Sequence, residues 1–140
     1  MSVTTSEQPY LASQSNYATQ SLNFAFGKTL FVDGTNGADT NNGSSWGNAF
    51  ATIQAAVTAS TAGDTLLIAA KTITAGATDP TSYAETIIIP AAKTNLSLIG
   101  VSRGRTQMGL PQIKKGEGTT ALLTIRAGGC LIKNLGFNGI

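Results

Sequence analysis

The sequence predicts an all-β chain of short parallel strands, with one helix near its start. Three observations predict it. Short apolar runs rich in Leu and Ile recur along the chain, each bounded by Gly, Asn, Pro or Thr. Charged residues make up only 11% of the 140 residues, while Gly, Ser, Thr, Asn and Ala are abundant, a balance that suits turn-rich β structure. No helix long enough for a βαβ crossover separates the later runs, which argues against a doubly wound sheet. Periodicity alone leaves an antiparallel sandwich open.

Residues 1–28 read as an extended N-terminal arm. The segment is rich in Ser, Thr, Gln and Asn, with spaced aromatics at Tyr10, Tyr17, Phe24 and Phe26. Such a composition buries too little apolar surface to order itself alone. Leu22, Phe24 and Phe26 alternate with Ser21, Asn23 and Ala25, the period of a strand that orders against something else. The expectation is a docking segment that uses strand addition and aromatic anchors. A plain solvated terminus is the competing reading.

Residues 29–140 read as one domain, or the first part of one. Residues 29–33, Thr-Leu-Phe-Val-Asp, are the first strand, and the Gly/Asn/Asp-rich loop Gly34 to Gly47 follows. Residues 48–60 are the expected helix. Phe50, Ile53 and Val57 fall on one stripe, flanked by Ala49 and Ala56. Asn48 is its expected N-cap and Gly63 its terminator.

Five apolar runs come next: Leu66–Ile68, Ile87–Ile89, Leu96–Ile99, Leu122–Ile125 and Leu131–Phe137. The first two lie roughly 20 residues apart, within the range of solenoid repeats. Continuous apolar runs fit parallel strands with little solvent exposure. Two segments interrupt them. Residues 74–84 are a polar, turn-rich insertion. Residues 101–118 are a longer loop carrying Arg103, Arg105, Lys114 and Lys115 against one acid, Glu117. Those four cations are the candidate binding residues, for an acidic polysaccharide or an acidic protein patch. The competing reading is a solvated loop.

The opening VDGTNGADTNNG, followed by AFATIQAAV and AGDTLLIA, resembles the start of pectin-lyase-like proteins and phage tailspikes. NLSLIGVS and CLIKNLGF resemble later turns of the same family. The resemblance covers roughly residues 29–140 and is more specific for fold than for activity. It implies a right-handed parallel β-helix, a solenoid whose N-terminal end is covered by the capping α-helix. A lid of that kind hides an apolar core and blocks edge-to-edge pairing. Where the family usually has a Pro-Gly-Thr-Tyr turn, this chain has Ala70, Lys71, Thr72 and Ile73. The family's catalytic carboxylates and arginines usually lie in later turns, and none maps onto this chain. The chain stops inside what resembles a solenoid turn, so the expectation is more chain, or another subunit, at that end.

Little in the sequence points to chemistry. There is no histidine, the commonest general base and metal ligand. Glycoside hydrolysis usually needs two carboxylates about 5 to 9.5 Å apart, and no pair is marked as sharing a groove. Asp33, Asp39 and Asp64 read as turn formers. Asp39, Asn41, Asn42 and Gly43 fall one residue short of a calcium loop and lack its closing glutamate. Gly27-Lys28-Thr29 lacks the earlier glycine of a phosphate loop. Asn42 and Asn95 stand in glycosylation sequons, which mean little without an export signal. Cys130 is the single cysteine and reads as a buried structural thiol. No catalytic residue, metal site or cofactor is expected.

The net charge of +2 is too small to imply a nucleic-acid partner. The N-terminus has neither the basic start nor the apolar stretch of a signal peptide. No segment reaches the roughly 20 apolar residues of a membrane span. A surface-type fold without an export signal fits a virion part, assembled in the host cytoplasm and released by lysis. The expected function is therefore a bacteriophage virion structural protein, a β-helical spike anchored to the particle by its N-terminal arm. Tailspike or fibre and capsid decoration are both open, since the arm is short for a tailspike head-binding domain. The expected partners are other virion proteins, the chain itself as a homotrimer, and host surface polysaccharide. A polysaccharide lyase or glycoside hydrolase with its active site beyond residue 140 is one alternative. A cell-surface adhesin is another.

Overall fold

In the computed structural model, short parallel strands and one helix are described over residues 27–72, 82–102, 109–115, 118 and 121–139. In chain order the strands are β1 (Thr29–Val32), β2 (Thr65–Ala69), β3 (Ser82–Ala84), β4 (Ile87–Ile89) and β5 (Ser97–Val101). They continue with β6 (Gln112–Lys114), β7 (Leu123–Ile125), β8 (Leu131–Lys133) and β9 (Gly136–Asn138). A 3-10 turn (Trp46–Asn48) and the helix α1 (Ile53–Ala59) lie between β1 and β2. The strands form three sheets, ordered β1-β2-β5-β8, β3-β6-β9 and β4-β7. All pairings are parallel.

The strands form because their alternate residues reach a common core. Leu30 is opposite Leu66, and Leu66 is opposite Leu98. Val32, Ile68, Ile87, Ile89 and Ile113 are also buried. Each such side chain contributes about 1.5–3 kcal/mol when fully buried. Ile53, Ala56 and Val57 turn the inner face of α1 onto the same core. The helix starts at Thr52, whose side chain accepts a hydrogen bond from the Ala55 N–H. At its other end the Lys93 ammonium donates to the carbonyls of Thr58 and Ser60, which suits the negative end of a helix.

The expected right-handed parallel β-helix is corrected. The described residues form three separate short sheets and one helix, and no closed solenoid is identified among them. The sheets have unequal numbers of strands, and β1 has no strand of the other two sheets between itself and β2. That stretch goes instead to the loop, the 3-10 turn and α1. Short apolar runs report buried parallel strands, but not how the chain closes between them.

Smaller expectations change with it. The helix is shorter than 48–60, with Thr52 rather than Asn48 as N-cap and Ser60 rather than Gly63 as C-cap. Asn48 ends the 3-10 turn instead, and Gly63 adopts a left-handed φ of 84° in the turn before β2. Leu66 pairs with Leu98 and not with Ile87, which belongs to another sheet. The run Leu131–Phe137 is two strands, broken at Asn134 with φ 57°. The segments expected as insertions each contain a strand, β3 and β6.

Burial falls toward the last strand of each sheet. Ile89 and Ile113 are fully buried, whereas Ile125 is 42%, Leu131 49% and Phe137 46% exposed. No helix among the described residues is long and apolar enough to cross a membrane.

Candidate functional site

The loop after β1 is built from carboxylate and amide side chains that hold backbone. Asp33 is buried, and one of its oxygens accepts the N–H groups of Thr35 and Asn36 at 3.0 and 3.2 Å. Its other oxygen accepts from the Asn36 side-chain amide at 3.3 Å. Asp39 accepts the N–H groups of Ala51 and Thr52, both at 2.9 Å, and the Thr52 hydroxyl at 2.9 Å. The Asn41 amide donates to the Ala49 carbonyl, and the Asn42 oxygen accepts the Ser44 N–H. Asp64 accepts the Thr61 N–H at 2.7 Å and the Lys28 N–H at 3.0 Å. Asp33 and Asp64 hold nearby turn N–H groups, as expected, whereas Asp39 reaches 12 and 13 residues ahead to the start of the helix. Among the described residues, no group of three or more Cys, Asp or Glu is placed to hold a metal ion.

Glu85 has a role that the sequence does not signal. It leaves β3 and reaches α1, where its two oxygens accept the N–H groups of Ile53 and Gln54 at 2.9 and 2.8 Å. Those groups lie more than thirty positions away along the chain. Burial raises its pKa above the ordinary glutamate value. The two helix N–H bonds and the Lys71 charge oppose the shift, while the nearby Asp39 charge adds to it. With the folded value above the unfolded one, neutral Glu85 is the form that folding favours. Its contribution is fully present below the unfolded pKa and is lost as pH rises through the raised folded value. Relative to the non-titrating variant Glu85→Gln, the wild-type melting temperature is therefore expected to rise on acidification from about pH 7 to about pH 4. Thermal melts of both proteins across that range check it, and a constant difference would overturn the pH dependence assigned to Glu85.

One groove of about 500 Å³ is lined by Asp33, Asn36, Trp46, Gly47, Ala69 and Val101. It lies where β1, β2 and β5 end side by side, since Val32 pairs with Ile68 and Ala69 with Val101. Its loop wall is held to the sheet by main-chain bonds: Phe50 N–H to Phe31 carbonyl, and Asp33 N–H to Phe50 carbonyl. Trp46 is 41% exposed and meets Phe31 edge-on, with centroids 4.9 Å apart and planes at 71°. Gly43, at φ 72°, lets the loop pass over Phe50. A Cβ there would lie 2.4 Å from that ring.

The expected binding cations are only partly within view. Lys114 lies in β6, half-buried, in register with Ala84 and Asn138. The Lys115 N–H donates to the Asn138 carbonyl. Two of the four expected cations therefore lie on a strand and just after it. Arg103 and Arg105 lie outside the described residues, as do Tyr10, Tyr17, Phe24 and Phe26 of the expected arm. Cys130 is partly exposed rather than buried, with its sulfur 3.7 Å from the Lys93 carbonyl. Trp46 had one available signal, as the single tryptophan of the chain in a Gly/Ser/Asn loop. No family model, curated protein or solved structure matches this chain.

Proposed function

We propose that this chain is a structural and binding component of a bacteriophage particle, either a projecting spike or fibre or a capsid decoration. Its partners in this reading are other virion proteins, further copies of itself as a homotrimer, and host surface polysaccharide. The observation that carries it is the use of the acidic side chains. Asp33, Asp39, Asp64 and Glu85 each accept at least one backbone N–H group. Carboxylates tied in this way brace a scaffold. The low charge content and the aromatic-spaced N-terminal segment support the same reading. So do Ile125, Leu131 and Phe137, whose exposed side chains suit a chain that works within an assembly.

Attachment is tested with particles from the source culture, probed by immunogold electron microscopy with an antibody against the chain. Gold is expected on the particles. A variant lacking residues 1–26 is expected to leave them unlabelled while keeping a β-type circular dichroism spectrum. That deletion spares Lys28 and its hydrogen bond to Asp64. Unlabelled particles with the full chain would end the particle reading. Undiminished labelling with the deletion would end the role of the arm.

A further inference from the structure

We propose that the groove at the ends of β1, β2 and β5 binds a neutral pyranose unit of a polysaccharide, with Trp46 as stacking platform and Asn36 as hydrogen-bonding group. The site deepens the reading above and rests on it for the source of the sugar. The argument starts from Trp46. Phe50 and Tyr83 are buried, whereas Trp46 is left 41% exposed on a groove wall. The edge contact with Phe31 holds the ring in place. A rigid, exposed indole offers a broad apolar face at small entropic cost. One face of a pyranose ring is a matching patch of C–H groups. Gly47, Ala69 and Val101 extend that apolar surface without filling the groove.

The polar side of the groove fits hydroxyl groups. Asn36 is solvent-exposed, and one N–H of its side-chain amide donates to Asp33. The bond orients the amide. Its other N–H and its oxygen provide one donor and one acceptor, the pair that adjacent sugar hydroxyls require. The groove volume of about 500 Å³ lies within the range of small-molecule sites. Among the described residues no lysine or arginine lines it, and Asp33 does. That charge pattern disfavours uronic acids, phosphates and nucleic-acid strands, whose recognition draws on cationic groups.

Trp46 is the only tryptophan, so its fluorescence reports on this groove alone. The full chain is titrated with cellohexaose, maltohexaose, mannohexaose and galactohexaose, and with polygalacturonate as the charged comparison. At least one neutral hexasaccharide is expected to shift the emission saturably, and polygalacturonate is expected to leave it unchanged. By calorimetry, Asn36→Ala is expected to weaken binding about fivefold, Trp46→Phe to retain part of it, and Trp46→Ala to abolish it. Asn36 is an exposed loop residue, so its variant tests the site even where Trp46→Ala folds poorly. The proposal is overturned if no neutral hexasaccharide at about 10 mM changes the emission, the weakest binding such a titration reads. Undiminished binding by Asn36→Ala, or tighter binding of polygalacturonate, also overturns it. Labelled particles without a sugar response would sink this site and leave the particle role standing. A sugar response without labelled particles would do the reverse.

Discussion

Asp64→Ala is expected to destabilise the fold by about 3 kcal/mol. Asp64 is 2% exposed and joins two parts of the chain. One oxygen accepts the Lys28 N–H at 3.0 Å, just before β1. The other accepts the Thr61 N–H at 2.7 Å and the Thr61 hydroxyl at 3.0 Å, just before β2. Alanine would leave these donors without their acceptor in a partly buried place, and the penalty for unmade bonds exceeds the net gain from made ones. The ion pair with the Lys28 ammonium, 3.8 Å away, adds little because that side chain is half exposed. Lys28→Ala keeps the backbone N–H and is expected to cost no more than about 0.5 kcal/mol. Urea denaturation of the two variants separates the backbone tie from the ion pair. A loss below about 1 kcal/mol for Asp64→Ala would refute the assignment.

Gly100→Ala is expected to cost a similar amount, about 3 kcal/mol, for a steric reason. Gly100 pairs with Ile68 in the middle of the largest sheet. A Cβ built there would lie 1.8 Å from the Asn134 carbonyl oxygen and 2.8 Å from Pro111 Cγ. The first obstacle is backbone, held by the left-handed turn at Asn134 between β8 and β9. It cannot rotate aside as a side chain would, so β5 must part from that turn. Gly128→Ala is the control, since nothing lies within 4 Å of its added Cβ. It is expected to change stability by no more than about 0.5 kcal/mol. Equal urea midpoints for the two variants would show that the sheet yields at Gly100.

Much of the element content was legible because it rests on local chemistry. Leu66–Ile68, Ile87–Ile89 and Leu96–Ile99 read as buried strands, and β2, β4 and β5 fall on or beside them. β3 and β6 went unread because Ser-Tyr-Ala and Gln-Ile-Lys each offer one large core residue, Tyr83 and Ile113. Three residues with one apolar side chain have no measurable period. Tyr83 is fixed by distant groups: its hydroxyl donates to the Ala69 carbonyl at 2.6 Å and accepts the Gly34 N–H at 3.0 Å. The expectation of a closed solenoid went further than the residues carried it. Parallel pairing and buried runs were there to be read, but closure depends on how the sheets join, and the structure gives three short ones.

The candidate site divides along the same line. Asp33 and Asn42 could be assigned as turn formers because their partners lie close by in sequence, whereas Asp39 holds Ala51 and Thr52 at the start of the helix. The groove could not be read, since Asp33, Trp46, Ala69 and Val101 meet only when β1, β2 and β5 align. Glu85 is the same case, with its helix partners on a distant segment. By itself, the sequence determined where β1, β2, β4 and β5 form, that Ile53, Ala56 and Val57 share a helix face, and that Asp33 makes a turn. These follow from backbone hydrogen bonding and apolar period over a few residues. Only the tertiary structure decided that Leu66 pairs with Leu98, that Glu85 holds the start of α1 and that Trp46 faces a groove. Each is a contact between distant segments, set by the shape of the shared core rather than by any local pattern.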